Sequence, residues 1–407
     1  RFLFFTGKGG VGKTTTAAST ALRLADRGVK TLLLSTDTAH SLGDALDVAL
    51  TGEPSEVVPG LWAVQVDTQR RFEAAWQQVQ GYFAELLAHG GVDPVTADEL
   101  TVLPGLEEVL ALLAVRELAG ARDWDAVVVD CAPTAETLRL LALPEALGWY
   151  LEKVFPAQRR VARGMRPVAA VLGRDRAHSV IPPDSVFGAL ARLADELADV
   201  RRLLADPATT SVRLVLTPEA VVTAEARRTF TALALYGYAV DMVIANRVFP
   251  AGDDAWRPGW AAAQQRQLVE IRESFAGVPV RELGYRAGEP VGAAALREVA
   301  DVLYGVLPGT DPVPLAAVEQ LLRVDADGAD FVLRLPLPLA EPAAVEAARA
   351  GDDLVVTVGR SRRVLALPNA LRRCAVVGGD FDGTWLRVRF RPDRKGMASS
   401  RTSAGRR

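Results

Sequence analysis

The sequence predicts an α/β protein: a mostly parallel sheet flanked by helices and carrying a helical insert, followed by a small antiparallel β-sandwich. Three observations carry this. Short, mainly apolar runs at Phe2–Phe5, Val29–Leu34 and Val127–Val129 read as strands covered on both faces, as in parallel sheets. Helix-compatible segments separate them. Beyond residue 328 the pattern changes to alternation, in FVLRLPL, DLVVTVG, RRVLALP and WLRVRF, each bounded by Gly, Asp or Pro turns.

The first strand leads into the stretch that organises the chain, FLFFTGKGGVGKTTT (residues 2–16). Gly7, Gly12, Lys13 and Thr14 fit the phosphate-loop pattern G-x-x-x-x-G-K-[ST], and a helix-compatible segment from Lys13 to Arg27 follows until Gly28 stops it. This strand–loop–helix order predicts a P-loop NTPase fold. Gly7, Lys8, Gly9, Gly10, Val11 and Gly12 form the loop, with Lys13, Thr14 and Thr15 at the helix start. Backbone N–H groups wrap phosphate oxygens there, and the helix N-terminus adds partial positive charge. Lys13 is placed to reach the β- and γ-phosphates, and the Thr14 hydroxyl to ligate Mg²⁺. The expected cofactors are ATP and Mg²⁺.

Residues Val29–Asp37 form the next strand and end in polar residues, completing a βαβ unit whose crossover should be right-handed. Asp37 lies beyond the carboxyl end of that strand, where ligands of such sheets bind. Residues 62–122 read mostly as helix. The strand Val127–Val129 ends at Asp130, the second carboxylate that a Mg-nucleotide site needs, acting mainly through water. Residues 147–207 are helical and Arg-rich, with apolar stripes at helical spacing. Residues 211–250 return to strand–helix–strand, and Asn246 closes its second strand with an amide able to pair an adenine edge. The expected domains are an ATPase domain over 1–306, with its helical insert at about 62–122 and 147–207, a linker over 307–327, a β-sandwich over 328–391 and a disordered basic tail over 392–407.

Composition sets the outer limits. With 407 residues, 49 % of them apolar, the chain suffices for one large or two unequal domains. The formal charge of −3 offers no general argument for nucleic acid or an anionic membrane, and no apolar run approaches a membrane span. Two cysteines, Cys131 and Cys374, are too few for a disulfide framework, a four-thiolate zinc site or an iron–sulfur cluster. The expectation is a cytoplasmic protein that neither spans a membrane nor binds nucleic acid, zinc or an iron–sulfur cluster. Only five of the 47 basic residues are lysines, yet Lys8 and Lys13 share one six-residue span.

That second loop lysine, in KGGVGKT, resembles the deviant Walker A loop of dimeric P-loop ATPases. STDTAHSLGDAL (residues 35–46) resembles the first switch, STDPAHNLSDAF, of the arsenite-pump and tail-anchored-protein-targeting ATPase family. DCAPTAETLRLLALP (residues 130–144) resembles its second, DTAPTGHTLRFLQLP. Leu103-Pro104-Gly105-Leu106-Glu107-Glu108 matches a further stretch, and residues 328–391 look like an α-crystallin (small heat-shock) domain. The likeness spans about residues 1–305 and 328–391. It implies a nucleotide-switched homodimer in which Asp37 orients the attacking water and Lys8 reaches phosphates of the other subunit. Glu219 and Asn246 fall on adenine-site positions, and the helical insert corresponds to a client groove. Plainer roles also fit: Asp37 as a turn or cap residue, Asn246 as a turn residue, the apolar stripes as ordinary packing.

Departures matter too. Thr38 replaces a proline, which should loosen the loop but leaves Asp37 and His40 in place; Cys131 replaces a threonine and Glu136 a histidine, which touches the coupling of hydrolysis to movement rather than nucleotide binding. No C-x-x-C pair follows Phe249, so the shared zinc of some relatives has no ligands here. Two outputs stay open: ATP-controlled binding of a hydrophobic client or membrane-protein partner, and energising an anion pump of the arsenite type. A partition-type positioning ATPase fits less well, for want of a basic patch.

Overall fold

The computed structural model describes residues 1–37, 41–66, 106–132, 195–196, 198–200, 202–250, 252, 254, 256–305 and 322–392. In chain order the elements are β1 (Phe2–Thr6), α1 (Lys13–Asp26), β2 (Thr31–Ser35), α2 (Ser41–Leu46), β3 (Ser55–Val58), β4 (Leu61–Gln65), α3 (Leu106–Gly120) and β5 (Ala126–Asp130). Then come β6 (Thr210–Leu216), α4 (Ala220–Tyr236), β7 (Val240–Val248), α5 (Arg257–Ser274), β8 (Val280–Gly284) and α6 (Gly292–Tyr304). The last part holds β9 (Arg323–Asp327), β10 (Asp330–Pro336), β11 (Val345–Ala350), β12 (Asp353–Val358), β13 (Ser361–Ala366), α7 (Asn369–Arg372), β14 (Cys374–Phe381) and β15 (Trp385–Pro392). They fall into two compact units, Arg1–Thr209 with Arg286–Val313, and Thr210–Tyr285 with Pro314–Arg407.

In the first unit the strands lie in the order β3-β4-β2-β5-β1, parallel except for β3. The apolar runs fill its centre: Leu3, Phe4, Phe5, Leu32, Leu33, Leu34, Val128 and Val129 are all fully buried. Helix α1 packs on β1, β2 and β5 and beneath α2 and α6, so it is buried on nearly every side. Two of its buried hydroxyls are satisfied within the helix: Thr16 donates to the Lys13 carbonyl at 2.9 Å, Thr20 to the Thr16 carbonyl at 2.7 Å. α6 clamps the helix from outside through Thr20–Tyr304 (2.6 Å) and the ion pairs Arg23–Asp301 and Arg297–Asp26. These contacts hold the helix whose N-terminus forms the phosphate loop.

Two element readings need correction. The segment read as helix from residue 62 begins as strand β4, which pairs in parallel with β2. LWAVQ is too short to show a period, and the tight β3–β4 turn at Gly60, φ 85°, fixes it as a strand. The last five residues read as linker, Arg323–Asp327, form β9, a polar edge strand paired with β10 across the turn containing Gly328 (φ 63°). Helix α3, Leu106–Gly120, lies inside the segment read as mostly helix. Residues 67–105, 133–194 and the tail from 393 lie outside the described residues, and with them most of the helical insert.

In the second unit β6, β7 and β8 run parallel, with α4 packed on β6 and β7. A buried pair, Arg213 and Asp241, joins β6 to β7 by bonds of 3.1 and 3.3 Å, with Ser211 adding a third at 2.7 Å. The C-terminal strands make the predicted antiparallel sandwich of two sheets, β14-β15-β10-β9 and β11-β12-β13. Its core holds Leu333, Leu335, Leu354, Val356, Leu386, Val388 and Phe390, together with Leu235 from the end of α4. Arg363 of β13 donates to the Leu235 carbonyl at 2.6 Å, a cation placed on the orphan carbonyls of the helix C-terminus. The sandwich is therefore packed onto α4.

Candidate active site

The parallel register places one residue from each of four strands in a row at their carboxyl ends: Phe5, Asp130, Ser35 and Gln65. The phosphate loop leaves β1 just beyond this row. Gly10 and Gly12 hold φ values of 77° and 96°, a left-handed backbone that side chains resist, which is why glycine stands there. Gly12 caps α1 without a side-chain hydrogen bond, and no acidic residue sits in the first turn. The first N–H groups of α1 thus remain directed at an anion. Lys13 is only 6 % exposed, and its ammonium reaches the Lys8 carbonyl at 3.4 Å. Lys8 itself is exposed on the crown of the loop.

Thr14 turns its hydroxyl into the row and donates to Asp130 Oδ2 at 2.7 Å, with Ser41 Oγ 3.2 Å away. Ser35 donates to the same carboxylate oxygen at 3.3 Å. Asp130 Oδ1 is buried without a hydrogen-bond partner. A fully buried carboxylate with one orphaned oxygen beside two or three hydroxyls is an oxygen-rich donor set, and its chemistry fits Mg²⁺. Burial pushes the Asp130 carboxyl up to about 7, against the opposing pull of Thr14 and Lys13. A carboxyl whose folded pKa is raised contributes stability below its unfolded value near 4, and loses it as pH rises through about 7. In chelator, Asp130→Asn should therefore gain melting temperature relative to wild type as pH goes from 5 to 8. Parallel thermal-melt profiles would show that the burial is not felt.

Asp37 follows β2 by two residues. Its N–H donates to Ser35 Oγ at 3.2 Å, and its carbonyl accepts from Gln65 Nε2 at 2.8 Å. Thr36 N–H donates to the Asp130 carbonyl at 3.0 Å. The two carboxylate residues are so joined through the strand ends, and Asp37 is close enough to raise the Asp130 carboxyl further. The arrangement offers a phosphate cradle, a cation site and a second carboxylate at one sheet edge, the requirements for moving a phosphoryl group to water.

The comparison with known sequences decides the family. Residues 1–305 match the ArsA ATPase model, described as an anion-transporting ATPase, and residues 328–390 match the HSP20-like domain found in ArsA. The chain belongs to the ArsA ATPase family. A Chlorobaculum tepidum relative named as an arsenical pump-driving ATPase is 36 % identical over 400 residues, covering 98 % of this chain and 97 % of that protein. An Aquifex aeolicus relative with a similar name is 32 % identical over 384 residues, covering 91 % of this chain and 95 % of its own. An Entamoeba histolytica protein named ATPase ASNA1 homolog is 28 % identical over 311 residues, 73 % of this chain and 91 % of the relative. As an ArsA-family member the protein is an ATPase, and both the phosphate-loop fold and the small heat-shock-like domain read from the sequence stand.

Of the predicted site residues of this ArsA-family chain, the structure brings together Lys13, Thr14, Asp37 and Asp130, with Gly7–Gly12 wrapped before them. Glu219 and Asn246 belong to the second unit. Glu219 is exposed at the N-cap of α4, and Asn246 Oδ1 accepts from the Arg247 N–H at 2.8 Å. Their adenine role rests on resemblance. Thr38, His40 and the second-switch residues from Pro133 to Pro144, Glu136 among them, lie outside the described residues. Cys131 is buried, with its N–H on the Phe5 carbonyl at 3.1 Å. Among the described residues no cluster of three His, Cys, Asp or Glu could hold a metal, and no helix is long and apolar enough to cross a membrane. Sequence reading missed Ser35, Ser41 and Gln65. Ser35 and Gln65 carry a faint signal, a polar residue closing an apolar strand run.

Proposed function

We propose that this ArsA-family ATPase is a nucleotide-switched homodimer in the cytoplasm, in which ATP binding and hydrolysis control the holding of a hydrophobic client or a membrane-protein partner. The observation that carries the hydrolytic part is the Thr14–Asp130 bond beside an orphaned carboxylate oxygen, one strand from Asp37. Thr14 and, in part through water, Asp130 would hold Mg²⁺, which supplies charge neutralisation on the phosphates. Lys13 and the loop amides of Gly7–Thr15 hold the phosphates, Asp37 orients the attacking water, and Lys8 acts in trans on the phosphates of the other subunit. Glu219 and Asn246 contact the adenine. Residues 1–306 form the ATPase part, and the sandwich after the linker contributes to partner handling. No zinc, iron–sulfur cluster or nucleic acid enters this reading.

Lys8→Ala should leave single-subunit ATP binding largely intact, because Lys13 already serves the phosphates from the helix start, while ATP-dependent dimer closure and hydrolysis fall. Lys8→Arg should not rescue closure, since a planar guanidinium does not reproduce a compact ammonium. Light scattering in chelator, with ADP and with a non-hydrolysable ATP analogue, reads the mass directly. A monomer under both conditions sinks the switched-dimer reading.

The second reading, an energising subunit of an anion pump of the arsenite type, draws on the names of the bacterial relatives. The two widely separated cysteines weigh against metalloid sensing by a thiol cluster. ATPase activity that rises with arsenite or antimonite would favour the pump; co-elution of apolar segments with ATP and not with ADP would favour the client.

A further inference from the structure

Among the described residues beside the site, Gln65 is a buried amide with one end unpaired. It is 6 % exposed; Nε2 donates to the Asp37 carbonyl at 2.8 Å, and Oε1 has no hydrogen-bond partner. An amide retained for stability alone places both ends against partners, because a buried unpaired oxygen destabilises the fold. Among the described residues the Gln65 side chain keeps only the bond to Asp37.

That bond completes a clamp. The Asp37 N–H is held by Ser35 Oγ at 3.2 Å and its carbonyl by Gln65 Nε2. Ser35 and Gln65 are register partners on β2 and β4, so both jaws stand on paired sheet strands. Fixing the N–H and the carbonyl of one residue fixes its φ and ψ, and with them the direction in which its side chain leaves the backbone. The backbone N–H of Gln65 is itself tied to the Thr51 carbonyl at 3.2 Å, and that of Val66 to the Ser35 carbonyl at 3.1 Å, which keeps the β4 end in place.

We propose that Gln65 is a positioning residue for ATP hydrolysis, acting through the Asp37 backbone to aim the Asp37 carboxylate. The inference rests on the reading of Asp37 as the residue that orients water. Phosphate binding is the work of the loop and α1, so loss of the clamp affects the chemical step and not affinity.

The test uses the full-length protein. Gln65→Met keeps length and apolar fit but cannot donate; Gln65→Glu keeps shape and presents an acceptor to the carbonyl. Both are expected to lower kcat by roughly 10- to 100-fold, the scale of a small misplacement at a reacting centre. For Gln65→Met, ATP affinity by calorimetry stays at the wild-type value, and Tm changes little, because loss of the bond to the Asp37 carbonyl and loss of the unpaired oxygen act in opposite directions. Adding Gln65→Met to Asp37→Asn should cost little beyond Asp37→Asn alone, since the two act as one unit. Full turnover in Gln65→Met overturns the proposal. So do additive losses in the double variant, or a fall of Tm and ATP affinity alongside kcat, which marks a structural role. Slow turnover in Asp37→Asn with normal turnover in Gln65→Met removes this inference alone; normal turnover in Asp37→Asn removes both readings.

Discussion

Lys13→Ala is expected to bind ATP at least ~100-fold more weakly than wild type, on the scale of one or two charge-assisted hydrogen bonds of about 1.5–3 kcal/mol each. The side chain is almost wholly buried, and the one hydrogen bond described for its ammonium is long, to the Lys8 carbonyl. An ammonium has three donors, and among the described residues one hydrogen bond is accounted for. The loop amides of Gly9–Gly12 and the first turn of α1 offer further donors, but none carries a full charge. Without nucleotide the effect on Tm should be small, because the burial of the cation and its attraction to Asp130 act in opposite directions. Calorimetric titration with Mg·ATP, alongside a thermal melt, separates the two effects. Equal affinity in variant and wild type would falsify the phosphate-loop assignment.

Asp37→Asn should bind Mg·ATP as wild type does and turn it over about 10²- to 10⁴-fold more slowly, the usual contribution of a positioned general base or water-polarising group. The amide keeps the shape, and the backbone clamp from Ser35 and Gln65 does not involve the side chain. The carboxylate charge alone is lost. Single-turnover measurement at saturating ATP reads the chemical step, and an unchanged rate would move the role to another residue. The variant also relieves a like charge near Asp130, whose carboxyl is already raised by burial. The Asp130 carboxyl should therefore titrate lower in Asp37→Asn than in wild type, and the pH dependence of apo stability should shift to lower pH accordingly.

The absence of a zinc-binding C-x-x-C pair has a consequence for assembly. In the proposed dimer, closure has to be held by nucleotide and by protein surface, so the monomer–dimer balance should respond more steeply to ATP than in relatives with a metal clasp. The exposed Lys8 on the loop crown is the residue through which that response would be felt.

Much of this molecule was legible in its sequence because the decisive signals are local. The phosphate loop needs glycine where φ is positive, at Gly10 and Gly12, and lysine and threonine at fixed spacing on the next helix turn. Short apolar runs of three or four residues mark β1, β2 and β5, and the alternating runs mark the sandwich. Carboxylates at strand ends marked Asp37 and Asp130. What only the tertiary structure decided is non-local. Leu61–Gln65 carries no period of its own, and pairing with β2 makes it a strand. Arg323–Asp327 is mostly exposed and carries three charges in five residues, and β10 recruits it as an edge. Leu235 reads as an ordinary helix residue, yet it completes the sandwich core. The row Phe5–Asp130–Ser35–Gln65 joins residues up to 125 positions apart, and no spacing in the chain announces it; register between parallel strands does. Composition and motif fix which atoms can meet a phosphate, whereas the alignment of neighbouring strands fixes which side chains hold those atoms still.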